Sequence, residues 1–347
     1  MFGIDTKRLI ILSLIGISYI WRSAILSPVS FRPTDLTGKT YVMAGGTSGI
    51  GLEAARAFAS WNATVIIGSR SAVKGEKVRA DLVETLPLGS TGTIQMIPLD
   101  LASFESVKSF ASSVASAHSK IDVLVLNAGM HGNEAAILTA DGVEEVYQTN
   151  FLSHYLLANL LLPTLRQTPG ARITHTSSSM HFFGAIDKVA HSAVSRNSGS
   201  SRARTGIKSY CDTKLMNVMF SNYLDRTEPK IMSIATHPGL VATDLDRNQP
   251  AMVAKAMRAF REVTSRPAVD GAVTLVTAST LVDPVFKGGA YLEDTCIMNN
   301  CTVMNPLCVY SSVKENGGGV VPHGTASDER EQDWLMGQAK EMVKAWL

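Results

Sequence analysis

The chain reads Thr40-Tyr41-Val42-Met43-Ala44-Gly45-Gly46-Thr47-Ser48-Gly49-Ile50-Gly51 over residues 40–51. The first part is a short apolar run typical of a buried strand, and the residues after the glycines have a helical pattern. Glycines between a strand and a helix allow a tight turn and let backbone N–H groups approach a pyrophosphate at the helix N-terminus. A bare glycine loop is often only a turn, and the spacing here is Gly-x-x-x-Gly-x-Gly rather than Gly-x-Gly-x-x-Gly. In its strand–loop–helix context the stretch predicts a dinucleotide site, with contacts from Gly45, Thr47, Ser48, Gly49, Ile50 and Gly51.

The pattern around this stretch repeats along the chain. Short apolar, β-branched runs alternate with segments of helical periodicity, among them Leu52–Trp61, Ala72–Leu86, Ser103–His118 and Gly142–Leu165. Such alternation predicts βαβ units and a parallel sheet covered on both faces. We therefore expect an α/β fold: a single doubly wound domain over residues 36–347, which includes a C-terminal substrate region. Its seven parallel strands are expected at Thr40–Met43, Thr64–Ile67, Thr93–Ile97, Asp122–Leu126, Arg172–Thr176, Lys230–Ala235 and Gly289–Leu292.

Composition narrows the class of protein. The 347 residues are 45% hydrophobic and 18% charged, which supports a sizeable core and argues against global disorder. A net charge of +2, without a basic stripe interleaved with aromatic residues, argues against a nucleic-acid partner. No metal site is predicted, because none of the four cysteines falls in a zinc-like pair. We interpret Cys211, Cys296, Cys301 and Cys308 as reduced or incidental, although the last three could pair in an oxidising lumen.

Residues 1–35 are expected to lie outside the domain, as a hydrophobic anchor and linker. The apolar run at residues 9–26 follows Lys7 and Arg8, and Arg22 interrupts it. Its length is near the lower limit for crossing a bilayer, and it crosses only if Arg22 snorkels to the interface. We expect a retained single-pass membrane anchor, with the endoplasmic reticulum favoured over other organelles. A cleaved targeting segment and a soluble docking helix are the alternatives, and the basic residues on both sides leave the topology open.

The end of the second predicted strand indicates which dinucleotide binds. NAD sites carry an acidic residue there, which bonds the ribose 2′-hydroxyl. This strand ends Ile66-Ile67-Gly68-Ser69-Arg70, with no acidic residue. Arg70 could form a charge-assisted fork with a 2′-phosphate, although a solvated surface arginine is the alternative. The sequence therefore favours NADP(H) over NAD(H).

Tyr210 and Lys214 form the candidate acid/base pair. They lie four residues apart at the start of an amphipathic run, so a helix would present both on one face. A phenol normally keeps its proton until about pH 10, and a neighbouring ammonium lowers that pKa. Such a pair can transfer protons near neutrality. Taken alone, a Tyr-x-x-x-Lys spacing is also compatible with an ordinary helix start.

The joint set of motifs resembles the short-chain dehydrogenase/reductase family from Leu36 to Leu292. Besides the glycines and the Tyr210/Lys214 pair, the resemblance rests on Asp100-Leu101, Asn127-Ala128-Gly129, Asn150, Ser177-Ser178 and the segment His237–Thr243. Ala44 replaces the family's usual threonine before the glycine motif. Three stretches resemble the retinol-dehydrogenase-like branch of the family. They are Tyr210-Cys211-Asp212-Thr213-Lys214-Leu215, the segment Gly289–Asp294, and Trp334.

The resemblance implies a role for each matched residue. Ser178, Tyr210 and Lys214 would be catalytic, and Asn150 would anchor a water that relays protons to Lys214. Ser177 or Ser179 is the alternative to Ser178, and a purely structural asparagine is the alternative for Asn150. The cofactor would further contact Arg70, Asp100, Leu101, Asn127, Ala128, Gly129, Tyr210, Lys214, Pro238, Gly239 and Thr243. Hydride transfer to a carbonyl leaves negative charge on its oxygen, which Tyr210 can protonate while Ser178 holds it.

Two segments depart from the family's pattern. Ser178 and Tyr210 are 32 residues apart, and the insert Phe182–Ser209 has no acidic residue from His191 onwards. The insert could be a flexible lid, a surface for anionic lipid or a solvated loop. The irregular tail Asn299–Ser327 is expected at the substrate end.

The leading functional hypothesis is an NADP(H)-dependent oxidoreductase that interconverts a lipophilic alcohol and its aldehyde or ketone. Retinoid, steroid and fatty carbonyls are the candidate substrates. Apolar residues after the proline-glycine segment would suit a lid over such a molecule, or ordinary helix core. A catalytically silent NADPH-binding membrane scaffold or redox sensor is the alternative. A serine hydrolase has little support, because no Gly-x-Ser-x-Gly elbow surrounds Ser178. A homodimer is a further possibility.

Overall fold

A computed structural model describes residues 31–132, 136–186, 206–241, 265–280, 289, 291–293 and 324–347. The strands are β1 (Thr40–Ala44), β2 (Thr64–Ser69), β3 (Thr93–Pro98), β4 (Val123–Leu126), β5 (Arg172–Thr176), β6 (Met232–His237) and β7 (Tyr291–Glu293). The helices are α1 (Gly49–Ser60), α2 (Ala72–Glu84), α3 (Phe104–Ala117), α4 (Glu145–Tyr147), α5 (Ser153–Arg166), α6 (Gly206–Thr227), α7 (Ala268–Thr280) and α8 (Glu329–Val343). A π-helical turn, Gln148–Leu152, joins α4 to α5, and short 3₁₀ turns occupy Ser179–Phe183 and Gly324–Ser327.

The sheet confirms the predicted α/β architecture. Its seven described strands are all paired in parallel, in the order β3-β2-β1-β4-β5-β6-β7. From β1 the chain runs outward to β3, and it then crosses back to β4, which lies on the other side of β1. The crevice outside the carboxyl ends of the strands at such a switch point is where doubly wound sheets bind ligands.

Both faces of the sheet are buried, and the strand sequences reflect this. On β1, Val42 and Ala44 pack into the core under α3, α5 and α6. Tyr41 and Met43 pack into the opposite core, under α1, α2 and α7. Because every residue of such a strand is inside, the strand reads as a continuous apolar run rather than an alternating one. Full burial of each large apolar side chain contributes about 1.5–3 kcal/mol, so the central strands form a rigid base for the loops at their ends.

Most element boundaries lie within two residues of the predicted ones, and two differences matter for the site. Helix α1 begins at Gly49, so the last glycines of the loop already form the first turn of the helix. The single helix predicted at Gly142–Leu165 begins instead at Glu145, and the π turn interrupts it. Short π turns of this kind occur often at functional sites.

Several predictions fall on residues that the structure does not describe. They include the apolar segment at residues 9–26, Thr243, most of the insert and most of the irregular tail. Among the helices that are described, none has both the length and the hydropathy needed to cross a membrane.

Candidate active site

A cleft of about 490 Å³ opens at the carboxyl ends of the central strands. Sixteen of the predicted site residues line it: Gly45, Thr47, Ser48, Gly49, Ile50, Arg70, Asp100, Leu101, Asn127, Ala128, Gly129, Ser178, Tyr210, Lys214, Pro238 and Gly239. Gly51 and Asn150 are buried behind the wall of the cleft. The fold therefore brings together residues that the sequence spreads over about 200 positions.

The glycine loop is compact because side chains do not fit in it. Gly45 has φ +95°, and a Cβ there would lie 2.5 Å from the backbone nitrogen of Ala128. A Cβ on Gly51 would lie 1.8 Å from the carbonyl oxygen of Gly45. Gly51 is thus required for packing of helix against loop rather than for lining the cleft. The result is a helix N-terminus at the wall of the cleft, the arrangement that suits a phosphate.

Asn127 ties three strands together beneath the loop. Its Nδ2 donates to the carbonyl oxygen of Gly45 over 2.7 Å, and its Oδ1 accepts from the Thr176 hydroxyl over 2.9 Å. The side chain therefore connects the ends of β1, β4 and β5. Asn127 shapes the floor of the cleft, and it is surrounded by hydrogen-bond partners from the protein itself.

Arg70 and Asp100, the two residues predicted to contact the adenosine part of the cofactor, both lie in the wall of the cleft. Arg70 is exposed directly after β2, and within the described residues its guanidinium has no ion-pair partner. Asp100 follows β3, and one oxygen of its carboxylate accepts from the backbone N–H of Ala102 over 3.0 Å. A cation is therefore available at this wall for an anionic group.

Tyr210 and Lys214 are both buried on the inner face of α6, as the helical spacing predicted. The Lys214 Nζ donates to the carbonyl oxygen of Thr176 over 2.8 Å and lies 5.4 Å from the centre of the Tyr210 ring. Burial lowers the pKa of Lys214 from 10.5 to about 8. The ring of His131 meets the Tyr210 ring edge-on at 4.3 Å. A lysine that can lose its charge near pH 8, next to a phenol, is typical of a site that moves protons.

Asn150 lies in the π turn and holds the neighbouring loop in place. Its Oδ1 accepts from the backbone N–H of Met130 over 2.9 Å, and its Nδ2 donates to the carbonyl oxygen of Met130 over 3.0 Å. The same Nδ2 lies 3.1 Å from the Thr213 hydroxyl, which itself donates to the Tyr210 carbonyl. The side chain thus joins the π turn, the loop after β4 and α6. Its predicted water-anchoring role stays a prediction.

The three serines after β5 have different surroundings. Ser177 is buried, and its hydroxyl donates to the Lys214 carbonyl over 2.8 Å, so it serves packing. Ser178 lines the cleft, and its hydroxyl oxygen accepts from the backbone N–H of Met180 over 3.2 Å. That contact leaves the Ser178 O–H able to donate to a bound molecule. Ser179 also lines the cleft. Of the alternatives left open by the sequence, Ser177 is the one already committed to a structural bond.

Several residues of the cleft had no distinct signal in the sequence. Thr176 supplies the carbonyl that holds Lys214 and the hydroxyl that holds Asn127, yet it reads as an ordinary strand residue. Met130, His131, Met180 and Ile207 also line the cleft, and most of them are apolar. They lie next to recognised motifs, so position relative to a motif was the only available signal.

Sequence comparisons find related proteins over most of this chain. The family model described as short chain dehydrogenase matches residues 39–254. The WW domain-containing oxidoreductase of Gallus gallus is 32% identical over 266 residues, which cover 76% of this chain and 63% of that protein. The chain thus spans less than two thirds of this relative's length. An uncharacterised oxidoreductase of Schizosaccharomyces pombe is 33% identical over 256 residues, covering 71% of this chain and 73% of that protein.

Solved structures share the fold. An uncharacterised protein from Mycobacterium paratuberculosis superposes with a TM-score of 0.63 at 25% identity, covering 90% of this chain and 95% of that chain. A short chain dehydrogenase from Burkholderia cenocepacia, solved in complex with NADP, superposes with a TM-score of 0.57 at 24% identity. That match covers 75% of this chain and 97% of the other.

Proposed function

Since this chain belongs to the short-chain dehydrogenase family of oxidoreductases, we propose that it interconverts a lipophilic alcohol and its aldehyde or ketone with NADP(H). The observation that carries the proposal is the buried Lys214 ammonium beside the Tyr210 ring, in the wall of the cleft. A buried lysine with a lowered pKa is costly to keep, so its position next to a phenol favours proton transfer over a structural role.

The described residues fit a bound NADP(H). Gly49 and Ile50, in the first turn of α1, line the cleft, and a helix N-terminus at this place suits a diphosphate. Arg70 stands at the end of β2 where an NAD-selective protein would carry an acid, and it can pair with a 2′-phosphate. Asp100 and Leu101 would contact the adenine, Gly129 and Lys214 the ribose, and Pro238 and Gly239 the nicotinamide. When bound, the nicotinamide ring of NADP(H) would supply or accept the hydride of the reaction.

Three residues of the chain, Tyr210, Ser178 and Lys214, would carry out proton transfer to and from the substrate oxygen. In the reducing direction, Tyr210 donates its phenolic proton to the carbonyl oxygen as negative charge develops there. The Ser178 hydroxyl donates a hydrogen bond to the same oxygen and holds it in position. The Lys214 ammonium favours the phenolate that Tyr210 becomes, and it is the group from which the phenol can recover a proton. In the oxidising direction the same phenolate removes the proton of the alcohol.

The lining of the cleft supports an apolar substrate. Met130, Met180, Ile207 and Leu240 stand around the catalytic residues, and the side chains of Ile207 and Leu240 are half exposed. Exposed aliphatic side chains at the mouth of a cleft lower the cost of desolvating a ligand with a hydrocarbon body. Retinoids, steroids and fatty carbonyls satisfy this description, in line with the resemblance to the retinol-dehydrogenase-like branch.

The proposal also covers where the enzyme works. Residues 9–26 have an apolar composition and a length that suit an anchor. Such an anchor would hold the catalytic domain at a membrane, and the endoplasmic reticulum is the membrane we favour. A lipophilic substrate concentrates in the lipid of that membrane. Association of two copies is a further part of the proposal.

Turnover by a Tyr210→Phe variant tests the assignment. Rates with NADPH and with NADH are first measured on retinaldehyde, a long-chain fatty aldehyde and a steroid ketone, and the best substrate is kept. The substitution removes the proton donor and keeps the ring, so NADPH should bind with unchanged affinity. Turnover at saturating NADPH should fall about 100-fold or more, the usual scale for a positioned acid.

Tyr223→Phe is the matched control, because Tyr223 lies on the same helix and outside the cleft. It should keep wild-type turnover within about threefold, a difference of less than 1 kcal/mol. If Tyr210→Phe also stays within that range, Tyr210 is not the acid. If no carbonyl of the panel turns over, the proposed substrate class is wrong.

A further inference from the structure

The short turn after β5 carries Ser178 and contains a buried histidine. His181 lies in the 3₁₀ turn Ser179–Phe183, and its side chain is fully shielded from solvent. The Nδ1 of His181 lies 2.7 Å from the carbonyl oxygen of Ser178. A carbonyl oxygen only accepts hydrogen bonds, so this nitrogen must carry the proton. The imidazole thus donates to the backbone of the residue whose hydroxyl lines the cleft.

The last described strand of the sheet fixes the position of this imidazole. The ring of His181 lies 4.8 Å from the ring of Tyr291, a buried residue of β7, and 4.0 Å from the ring of Phe182. The Tyr291 hydroxyl oxygen lies 3.2 Å from the same Nδ1. The two aromatic rings therefore hold the imidazole in the orientation that points Nδ1–H at Ser178, and the Tyr291 oxygen can accept only the longer share of the same N–H.

The other end of the turn is attached to α6. The Asp212 carboxylate accepts from the backbone N–H of Ala185 over 2.8 Å. Gly184 lies so close to α6 that a Cβ would be 2.6 Å from the Cys211 carbonyl oxygen. The residues between Ser178 and Ala185 are therefore held to the helix that bears Tyr210 at one end and by His181 at the other.

We propose that His181 is a positioning residue, which fixes the Ser178 backbone so that its hydroxyl and that of Tyr210 meet one substrate oxygen. The inference rests on the proposed function, because it takes Ser178 as the group that holds this oxygen. Among the described residues the Ser178 hydroxyl has one hydrogen-bond partner, the Met180 N–H, and its direction otherwise follows from the backbone that His181 holds. A displacement of about 1 Å at a reacting group can cost about 100-fold in rate.

Two substitutions at position 181 separate the hydrogen bond from the bulk of the ring. His181→Phe keeps an aromatic ring and removes the donor, and kcat should fall about tenfold or more while KM and the Kd for NADPH stay within about threefold. His181→Asn carries an amide N–H close to where Nδ1–H stands, and kcat should return to within about threefold of wild type.

His175→Phe is the matched control: His175 is equally buried on β5, and its Nε2 bonds to the Ser233 hydroxyl, away from the cleft. This control should lower thermal stability and leave kcat within about threefold.

A double-mutant cycle with Ser178→Ala shows whether His181 acts through Ser178. Ser178→Ala alone should lower kcat about 100-fold, the scale for loss of one donor to a developing oxyanion. In that background, His181→Phe should cost less than about twofold more, because two residues acting as a unit are not additive. An additive effect in the double variant, or an Asn variant as slow as the Phe variant, would overturn the positioning role.

The outcomes also separate this inference from the proposed function. If Ser178→Ala leaves kcat unchanged, Ser178 does not hold the substrate oxygen, and the catalytic assignment fails. If Ser178→Ala is slow and His181→Phe is not, the assignment stands and the positioning role fails. A measurement that needs no substrate completes the test: ¹⁵N NMR of labelled histidine should show His181 as the Nδ1–H tautomer, and an Nε2–H tautomer would overturn the inference.

Discussion

At the scale of single residues, burial decides which groups in the cleft and in the core beneath it carry charge. Burial lowers the pKa of His154, His175 and His237 to about 3, so all three are neutral at physiological pH. Lys214 keeps an ammonium below pH 8, because its pKa, although lowered, is about 8. Of these four buried groups, Lys214 is therefore the one whose charge changes in the working range of pH. The rate of the enzyme should follow that change.

Carbonyl reduction should slow as the pH rises through about 8. The ammonium form of Lys214 exists below its pKa and is lost above it, and with it the group that supports Tyr210. We expect kcat/KM, measured from pH 6 to 10, to be level at low pH and to bend downward near 8. Lys214→Arg should be at least about tenfold slower, because a planar guanidinium does not replace a compact ammonium. Its profile should lack the bend near 8, since arginine keeps its charge. The same bend in both proteins would exclude Lys214 as its source.

Arg70 should determine cofactor preference. Arg70→Ala removes a cation that NADPH can use and NADH cannot, since only NADPH carries the 2′-phosphate. The Kd for NADPH should rise about 10- to 150-fold, the equivalent of 1.5–3 kcal/mol for a charge-assisted hydrogen bond, and the Kd for NADH should change little.

Arg79→Ala provides the control for Arg70→Ala. Arg79 lies on the surface of α2, where its guanidinium is paired with Glu76. Its loss should affect neither cofactor. Titrations of both cofactors against both variants are the measurement, and an equal loss of NADPH and NADH affinity in Arg70→Ala would show that Arg70 does not contact the phosphate.

At the scale of elements, the site depends on two local departures from regular helix. Helix α1 begins inside the glycine motif and lies close against the loop, through the contact of Gly51 with Gly45. The π turn before α5 places Asn150 where it can bond both the loop after β4 and Thr213. The start of α1 and the π turn both interrupt regular structure, and in both the backbone approaches another segment closely. Substitution of Gly51 tests the close approach at the start of α1.

Two helical glycines should respond in opposite directions to alanine. Gly51→Ala places a methyl group 1.8 Å from the Gly45 oxygen, so the loop or the helix must move. Its free energy of unfolding should fall by about 1–3 kcal/mol, as expected for overpacking, and NADPH should bind more weakly. Gly337 is exposed in α8, and a methyl group added there would meet no atom within 4 Å, so Gly337→Ala should raise the free energy of unfolding by about 0.5–1 kcal/mol. Urea denaturation of both variants checks the pair. A Gly51→Ala protein as stable as wild type would show that the contact is loose.

At the scale of the whole molecule, the described chain forms one sheet with a separate core on each side. The C-terminal helix α8 belongs to one of them, since Leu335, Met336 and Met342 join the cluster that contains α5 and α6. Asn222 on α6 donates to the carbonyl oxygen of Ala326, directly before α8. Residues near both ends of the described part of the chain thus contribute to the domain, since Phe31 also packs edge-on against Trp61 at 5.9 Å. A catalytic domain beginning at Phe31 should therefore fold without the residues before it.

Removal of the N-terminal segment should change location and not chemistry. The full chain should sediment with membranes and resist carbonate extraction, because residues 9–26 are just long enough to span a bilayer when Arg22 snorkels to the interface. A chain beginning at Phe31 should be soluble, with turnover and cofactor affinity like those of the full chain. Cell fractionation and assays of both proteins are the measurement. Recovery of the full chain in the soluble fraction, with its N-terminus intact, would contradict the anchor.

The sequence by itself determined the architecture and the membership of most of the cleft. Strand runs such as Tyr41–Ala44 are apolar because both faces of a central parallel strand are buried, so their pattern reveals the sheet directly. Gly45, Tyr210 and Lys214 are equally readable, because a positive φ and a helical spacing of four restrict the residues that fit. Each of these constraints acts within a few neighbouring residues, so it can be recognised from the sequence.

Only the tertiary structure decided how that set is supported. Thr176 holds Lys214 through its backbone carbonyl, a group that every residue has, so its identity carries no signal. Ser177 and Ser178 are neighbours of one residue type, and the sheet and α6 separate their environments by turning one inward and the other to the cleft. His181 bonds to Ser178 from a ring held by Tyr291, which lies 110 positions further along the chain. Contacts between distant segments depend on packing, and packing exists only once the chain has folded.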